Sequence, residues 1–416
     1  MFALISVAFE TAKGLLDDPT KAAKLPFFVI FAKKICEGCF QRAWFSKSSA
    51  RHVISRLIDY MPSVWICEHG SDFFHALLFI IRDLADEVSF GVVEETHDTL
   101  WKLVKSILSV KPDKLSETAK DRIVRELVRE IISPSDVVRK FSQDTLHKVA
   151  KELNTTVTAI IKETIERHKD ILAICPFKTS GKTYMYHKAI PLQIGILDGS
   201  AFCLSLQPRL FQYDCQNSTE SHAFLIEVFK IMSNEEAFMA HPCYKKWMTR
   251  NDYGWSNSLE PLKITAMKVM CQCFYISELR DDIFSALFQN MTQTDDPKLM
   301  KAGEECLEVF LAGTNQSSET EIIIEVIHRE LRPILTKIGN YADLNHSIIE
   351  RLAILSRLFP NTFNLKLCDT LMAHLQEAIK KMVEQVNLGK SVDDLLKMSA
   401  AICEVFPLIQ QAYGLT

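Results

Sequence analysis

The chain has 416 residues, with 48 Lys and Arg against 52 Asp and Glu, and a formal net charge of −4. That balance excludes a general phosphate-neutralising surface, and with it direct nucleic-acid binding as a main role. Gly (13) and Pro (14) together make roughly 6% of the chain, about half the usual ~12%, which argues for helix and against sandwiches, barrels and disordered linkers.

From the start, Met1–Ala8 is apolar but has no basic residue before it and soon meets Glu10, so it reads as a helix over 2–17 rather than a signal peptide. Further helices are expected at 26–41, 48–60, 71–86, 91–110, 116–132, 136–153 and 155–169. The most apolar run, Leu25 to Ala32, is cut off by Lys33 and Lys34, far short of a membrane span. The 12 cysteines are scattered, mostly in apolar helical stretches (Cys175, Cys203, Cys306, Cys403), as suits free thiols in a reducing compartment. A soluble intracellular chain is expected.

Ser133-Pro134-Ser135-Asp136 opens a helix whose face is Val138, Phe141, Thr145, Leu146, Val149 and Leu153. The pentad Asp98-Thr99-Leu100-Trp101-Lys102 returns as Asp144-Thr145-Leu146-His147-Lys148, an offset of 46 residues. Helical-hairpin repeats of the HEAT and armadillo type have periods of about 40–47 residues.

The helical rhythm is expected to fail across 175–257, where Pro176, Gly181, Pro191, Gly195, Gly199, Pro208, Pro242 and Gly254 cluster with aromatic residues. Within that stretch only 219–240 reads as helix. Helices resume at 259–276, 279–291, 297–312, 318–338, 344–358, 362–387 and 391–411. The clearest is 297–312. Asp296 is placed to cap it and Pro297 stands where a missing N–H costs nothing. Leu299, Ala302, Gly303, Cys306, Leu307 and Phe310 share one face, and Gly313 is expected to close the helix in the left-handed conformation. Ile283, Phe284, Leu287, Phe288 and Met291 form a matching stripe on the helix before. Two such helices cannot bury both stripes alone, so hairpins of this kind stack. The fold expected is all-α, a HEAT/armadillo-like α-solenoid: repeats over 1–174, an excursion packed on them over 175–257, and repeats over 258–416.

Motifs that bear on chemistry fall short of completion. Ser180-Gly181-Lys182-Thr183 resembles the tail of a phosphate-binding loop, but Pro176 stands where the first glycine belongs, so it reads as a polar surface loop. Cys36-Glu37-Gly38-Cys39 has zinc-like spacing, with Cys67 and His69 as the nearest second pair. Its place on an amphipathic helix favours buried structural thiols. Gly254-Trp255-Ser256-Asn257-Ser258 lacks the last glycine of a nucleophile elbow, and His328-Arg329-Glu330 lies in a helix with no D-F-G after it. Neighbouring acids such as Asp281-Asp282, Asp295-Asp296 and Glu304-Glu305 diverge on a helix and cannot form an acid/base pair. Arg122, Arg125 and Arg129 form a stripe beside Glu126 and Glu130, read as an ion-laced face, or else as a docking ridge for an acidic partner segment. We expect no enzyme here, and no catalytic, cofactor-binding or metal-ligating residues.

Five segments in one order carry a family likeness: Phe40–Lys47, Gln193–Gly199, Leu206–Phe211, Lys301–Cys306 and Arg357–Asn364, the last followed by Cys368-Asp369. From about Phe27 to Phe406 they resemble the HEAT-repeat region of the transformation/transcription domain-associated (TRRAP) family, pseudokinases of the phosphatidylinositol-3-kinase-related group. The stretches 245–257 and 316–320 depart from the family pattern in surface loops. The resemblance implies a non-catalytic nuclear scaffold of SAGA and NuA4-type histone acetyltransferase complexes. Such a scaffold takes complex subunits and acidic transcription activators as protein partners, without cofactor, membrane or small-molecule substrate. It also implies that the chain is a fragment of a much larger protein, since neither end reads as a capping repeat. An importin-like HEAT-repeat transport receptor is the alternative, disfavoured by the lack of an acidic run.

Overall fold

A computed structural model of the chain describes residues 2–84, 90–168, 189–210, 219–233, 242, 244–245, 259–294, 296–314, 320–359, 363 and 365–412. Every regular element among them is helical, and no strand occurs among the described residues. Two compact units are present, Met1–Phe224 and Leu225–Thr416.

The first unit holds α1 (Phe2–Leu16), α2 (Pro19–Ala23), α3 (Pro26–Cys39), α4 (Trp44–Tyr60), α5 (Ser63–Asp83), α6 (Phe90–Leu108), α7 (Lys114–Glu130), α8 (Asp136–Glu152), α9 (Val157–Arg167) and α10 (Ile190–Ser205). Local chemistry sets several starts. Asp18 accepts the N–H groups of Thr20 and Lys21 ahead of α2. Asp113 and Ser116 exchange hydrogen bonds in a capping box, 2.6 Å from Ser116 N to Asp113 Oδ1 and 2.9 Å from Asp113 N to Ser116 Oγ. Thr156 caps α9.

Each long helix packs on the next and on the next but one. Thus α5 meets α6 and α7, α7 meets α8 and α9, and α4 meets α6. This is how a stack of hairpins buries stripes that one hairpin leaves open. The repeated pentad obeys it: Thr99 with Leu100, and Thr145 with Leu146, occupy equivalent buried places on α6 and α8. Lys148 Nζ stands 5.5 Å from the centroid of the Trp101 ring, the residue one repeat back from His147. Ion pairs climb the stack at the same interval. Lys102–Asp59, Arg51–Glu95, Arg167–Asp121 and Arg82–Glu130 join residues 43, 44, 46 and 48 apart.

Helix α5 starts at Ser63, eight residues before the expected 71. The polar run Glu68-His69-Gly70-Ser71-Asp72 reads as an interruption, yet it lies inside the helix. Gly70 lies against Ile107 of α6, where a Cβ would sit 2.6 Å from Ile107 Cδ1. By length and hydropathy α5 alone among the described residues would suit a membrane span, but 67% of its apolar window is buried inside the protein. It packs as a central core helix, with Trp65, Ile66, Phe73, Phe74, Leu77 and Ile81 all buried.

The larger correction lies within 175–257. Helix α10 occupies 190–205, where no helix was expected. Pro191 falls in the first turn, where its missing N–H is harmless. Gly195 and Gly199 are not breakers here; they let α10 lie against the backbone at 131–133. A Cβ on Gly195 would meet Ile132 O at 2.4 Å, and one on Gly199 would meet Ile131 O at 2.7 Å.

The second unit holds α12 (Glu260–Cys271), α13 (Ser277–Thr292), α14 (Pro297–Thr314), α15 (Thr320–Ile338), α16 (His346–Leu358), α17 (Leu365–Asn387) and α18 (Asp393–Ala412), with most of α11 (Thr219–Ser233). As expected, Asp296 Oδ1 accepts Lys298 N at 2.9 Å at the start of α14. Ile283, Phe284, Leu287, Phe288 and Met291 of α13 are buried, as are Ala302, Cys306, Leu307 and Phe310 of α14; Leu299 is half-buried.

Gly313 does not close α14. The helix runs to Thr314, and the ring of Phe274 takes the space a side chain would need, 2.5 Å from a Cβ on Gly313. Among the described residues of this unit the left-handed glycine is Gly389, φ 66°, after α17. Gly389 N and Lys390 N donate to Val386 O and Gln385 O, at 3.0 and 2.9 Å, completing a Schellman ending.

Gly303 sets the approach of α13 and α14, since a Cβ there would lie 2.8 Å from Met291 Cβ and 3.1 Å from Met291 Cα. Gly303→Val should therefore lower stability by about 1–3 kcal/mol in urea unfolding. Gly14→Ala, where a Cβ meets nothing within 4 Å, should be neutral or stabilising. Equal effects at the two positions would sink this reading of Gly303.

Candidate interaction surfaces

Most motifs singled out for chemistry resolve into structural roles. Cys36 and Cys39 share the buried face of α3, and desolvation pushes both thiols up to about 12. Cys67 and His69 are buried on α5, and burial lowers the pKa of His69. Among the described residues no group of three or more His, Cys, Asp or Glu is placed to hold a metal ion. Cys203, Cys271, Cys273 and Cys306 are buried as well, whereas Cys403, expected in an apolar stretch, is exposed on α18. Ser180–Thr183, Gly254–Asn257 and Asp295 lie outside the described residues.

The arginine stripe of α7 is a neutral lattice rather than a free ridge. Asp121, Glu126 and Glu130 balance Arg122, Arg125 and Arg129 over the same ten residues. Arg129 pairs with Glu126 at 3.3 Å, and both glutamates also reach back to α5. Glu126 meets His75 at 3.2 Å and Glu130 meets Arg82 at 3.5 Å. These pairs tie α7 to α5 and leave little net positive charge for a partner.

His75 is the titrating member of that lattice. Its Nδ1 lies 2.8 Å from Ser71 O and its Nε2 3.2 Å from Glu126, and only the imidazolium can donate to both. The hydrogen bond to Glu126 raises the His75 pKa above its ordinary 6.5, and the same bond lowers that of Glu126 below its ordinary 4.5. The His75 contribution is therefore full below pH 6.5 and fades as pH rises through its raised folded value. The Glu126 contribution is present above pH 4.5 and fades as pH falls through its lowered value.

The stability gap between the native chain and His75→Gln should thus be widest near pH 5.5 and shrink by about pH 8.5, in urea unfolding at both. A gap that grows with pH would refute the assignment. His69 and His97 are lowered by burial, so they act the other way and stability from them falls below pH 6.5 in both proteins.

A more open positive surface lies on α15. His328, Arg329, Leu331, Arg332, Leu335 and Thr336 line a groove of about 660 Å³. Arg329 is partly engaged, donating to Ser285 Oγ at 2.8 Å and to Glu330 at 3.3 Å. Arg332 and His328 are exposed, and Leu335, one turn beyond Arg332, offers a partly exposed apolar side chain. Pro333 cannot donate to the carbonyl of Arg329 one turn back, which leaves that acceptor open. The His328-Arg329-Glu330 tripeptide is thus a groove wall on a helix. Sequence periodicity marks α15 as amphipathic but does not show which of its polar residues stay unpaired.

Stacked helical hairpins with buried stripes, inter-repeat ion pairs and surface grooves define a helical-repeat protein of the HEAT class. The whole chain, residues 2–416, matches the model of the Tra1 HEAT repeat ring region, and the chain belongs to that family. It is 32% identical over 98% of its length to the transformation/transcription domain-associated proteins of Danio rerio and Homo sapiens. It is 28% identical over 92% of its length to the Drosophila melanogaster transcription-associated protein 1. The chain spans 10% of the length of each of these relatives.

Proposed function

We propose that this chain is a non-catalytic scaffold segment of a nuclear transcription coactivator. In this reading it serves histone acetyltransferase complexes of the SAGA and NuA4 types, docking complex subunits and acidic activator segments. The observation that carries the reading is the match to one HEAT ring family from end to end, with relatives named for transcription. The α15 groove supports it: positive charge from Arg332 steers an acidic segment, and partly exposed Leu335 receives an apolar side chain of an amphipathic helix. Affinity purification of the protein from nuclear extract tests the reading. Recovery of acetyltransferase activity with the purified material is the expected result. Purified material free of acetyltransferase subunits would contradict it.

A further inference from the structure

A polar groove of about 310 Å³ opens in the second unit between the end of α11 and helices α12, α13 and α14. Carboxamides dominate its wall: Gln289, Asn290 and Gln293 stand on one face of α13. Lys263 of α12 is the charged residue among those described in the lining, and no carboxylate is among them.

The hydrogen bonds of these amides fix which atoms face a ligand. Asn290 Nδ2 donates to Met232 O at 2.9 Å and to Ala286 O at 2.8 Å, so both its protons are used within the fold. That leaves Asn290 Oδ1 as an open acceptor. Gln289 Nε2 donates to Glu330 at 3.3 Å, which orients the amide and leaves its Oε1 open. Gln293 is exposed, and its carboxamide has no hydrogen-bond partner among the described residues.

Spacing shows what these groups match. Gln289 and Gln293 lie four residues apart on a helix, about 6 Å along its axis. An extended polypeptide turns the N–H and C=O of every second residue to the same side, about 6.6 Å apart. A strand laid along α13 therefore sets one residue's main chain against each glutamine. A carboxamide carries the same donor and acceptor as a peptide group, so the two are complementary. Asn290 Oδ1, between the glutamines in sequence, is placed to take a further N–H. A basic side chain would find no counter-charge among the described lining residues, whereas a neutral main chain needs none.

We infer that the α13 groove binds an extended polypeptide segment of a partner protein through its main chain, with little demand on its side chains.

Saturation-transfer NMR tests this with the full chain and an acetylated, amidated octapeptide of alternating threonine and serine. Saturation transfer from the native chain to the peptide is expected. The double change Gln289→Ala and Gln293→Ala should raise the dissociation constant about tenfold or more, because two hydrogen-bonding groups are lost. Both glutamines are exposed, so far-UV circular dichroism should stay unchanged. Esters in place of the central amides remove N–H donors from the peptide and keep every side chain. That analogue should bind about tenfold more weakly to the native chain, a readout that alters nothing in the protein. A native chain that transfers no saturation, a double variant that binds as well as the native chain, or an ester analogue that binds equally would overturn the inference. So would displacement of the peptide by acetyl-arginine amide at equal concentration, which would assign the groove to a basic side chain.

Discussion

Arg139→Met should lower the unfolding free energy of the chain by about 3–5 kcal/mol, the range for removing one partner of a buried ion pair. The Arg139 side chain is 6% exposed. Its Nε donates to Asp198 Oδ2 at 3.1 Å, and its Nη1 donates to Ser133 O at 2.7 Å and Pro134 O at 3.1 Å. Gln143 Nε2 adds a longer bond of 3.4 Å to the same carboxylate oxygen. Methionine fills the volume but leaves the Ser133 and Pro134 carbonyls without this donor and half-buried Asp198 without its charge partner. Because Asp198 is on α10 and Arg139 on α8, the loss should include release of α10, seen as faster amide exchange across 190–205. Asp198→Asn keeps the shape and one acceptor and should cost less. A loss below about 1 kcal/mol for Arg139→Met would show that the pair is not holding α10 in place.

Trp65→Ala should cost a similar amount, about 3–5 kcal/mol, through the cavity it opens in the middle of the first unit. Trp65 is 1% exposed, and its ring lies 4.9 Å from the His69 ring and 5.5 Å from that of Phe73, centroid to centroid. Its indole Nε1 is buried without a hydrogen-bond partner among the described residues. Trp65→Phe keeps most of the ring contact and removes that orphaned donor, so it should cost under about 2 kcal/mol. Urea denaturation separates the two substitutions. Equal losses would contradict the claim that ring packing retained by phenylalanine carries the stability.

The second unit's central hairpin was legible because its signals are local. Asp296-Pro297 announces the start of α14, and the stripes of α13 and α14 recur at helical spacing over about two and three turns. α10 was not legible. Residues 190–205 are apolar on every side, as suits a helix buried all round, so the periodic contrast that marks a surface helix is missing. Its proline and two glycines then read as punctuation. Only the closeness of the 131–133 backbone explains the glycines, and that lies some sixty residues back in sequence.

The same distance hides Arg139–Asp198. Nothing local distinguishes Asp198 from a surface acid. The arginine stripe of α7 was legible as an ion-laced face with its own glutamates, but the further pairing of those glutamates with His75 and Arg82 of α5 is a property of the stack.

Peptide-resolved alkylation of the native cysteines measures the hairpin stack most directly, because the thiols report inward-facing positions in both units. Among the cysteines of the described residues, exposed Cys403 should react first and half-buried Cys368 next. Cys36, Cys39, Cys67, Cys203, Cys271, Cys273 and Cys306 should stay protected until urea unfolds the chain. Modification of Cys39 or Cys306 as fast as Cys403 in the absence of urea would place those faces in water and contradict the stack.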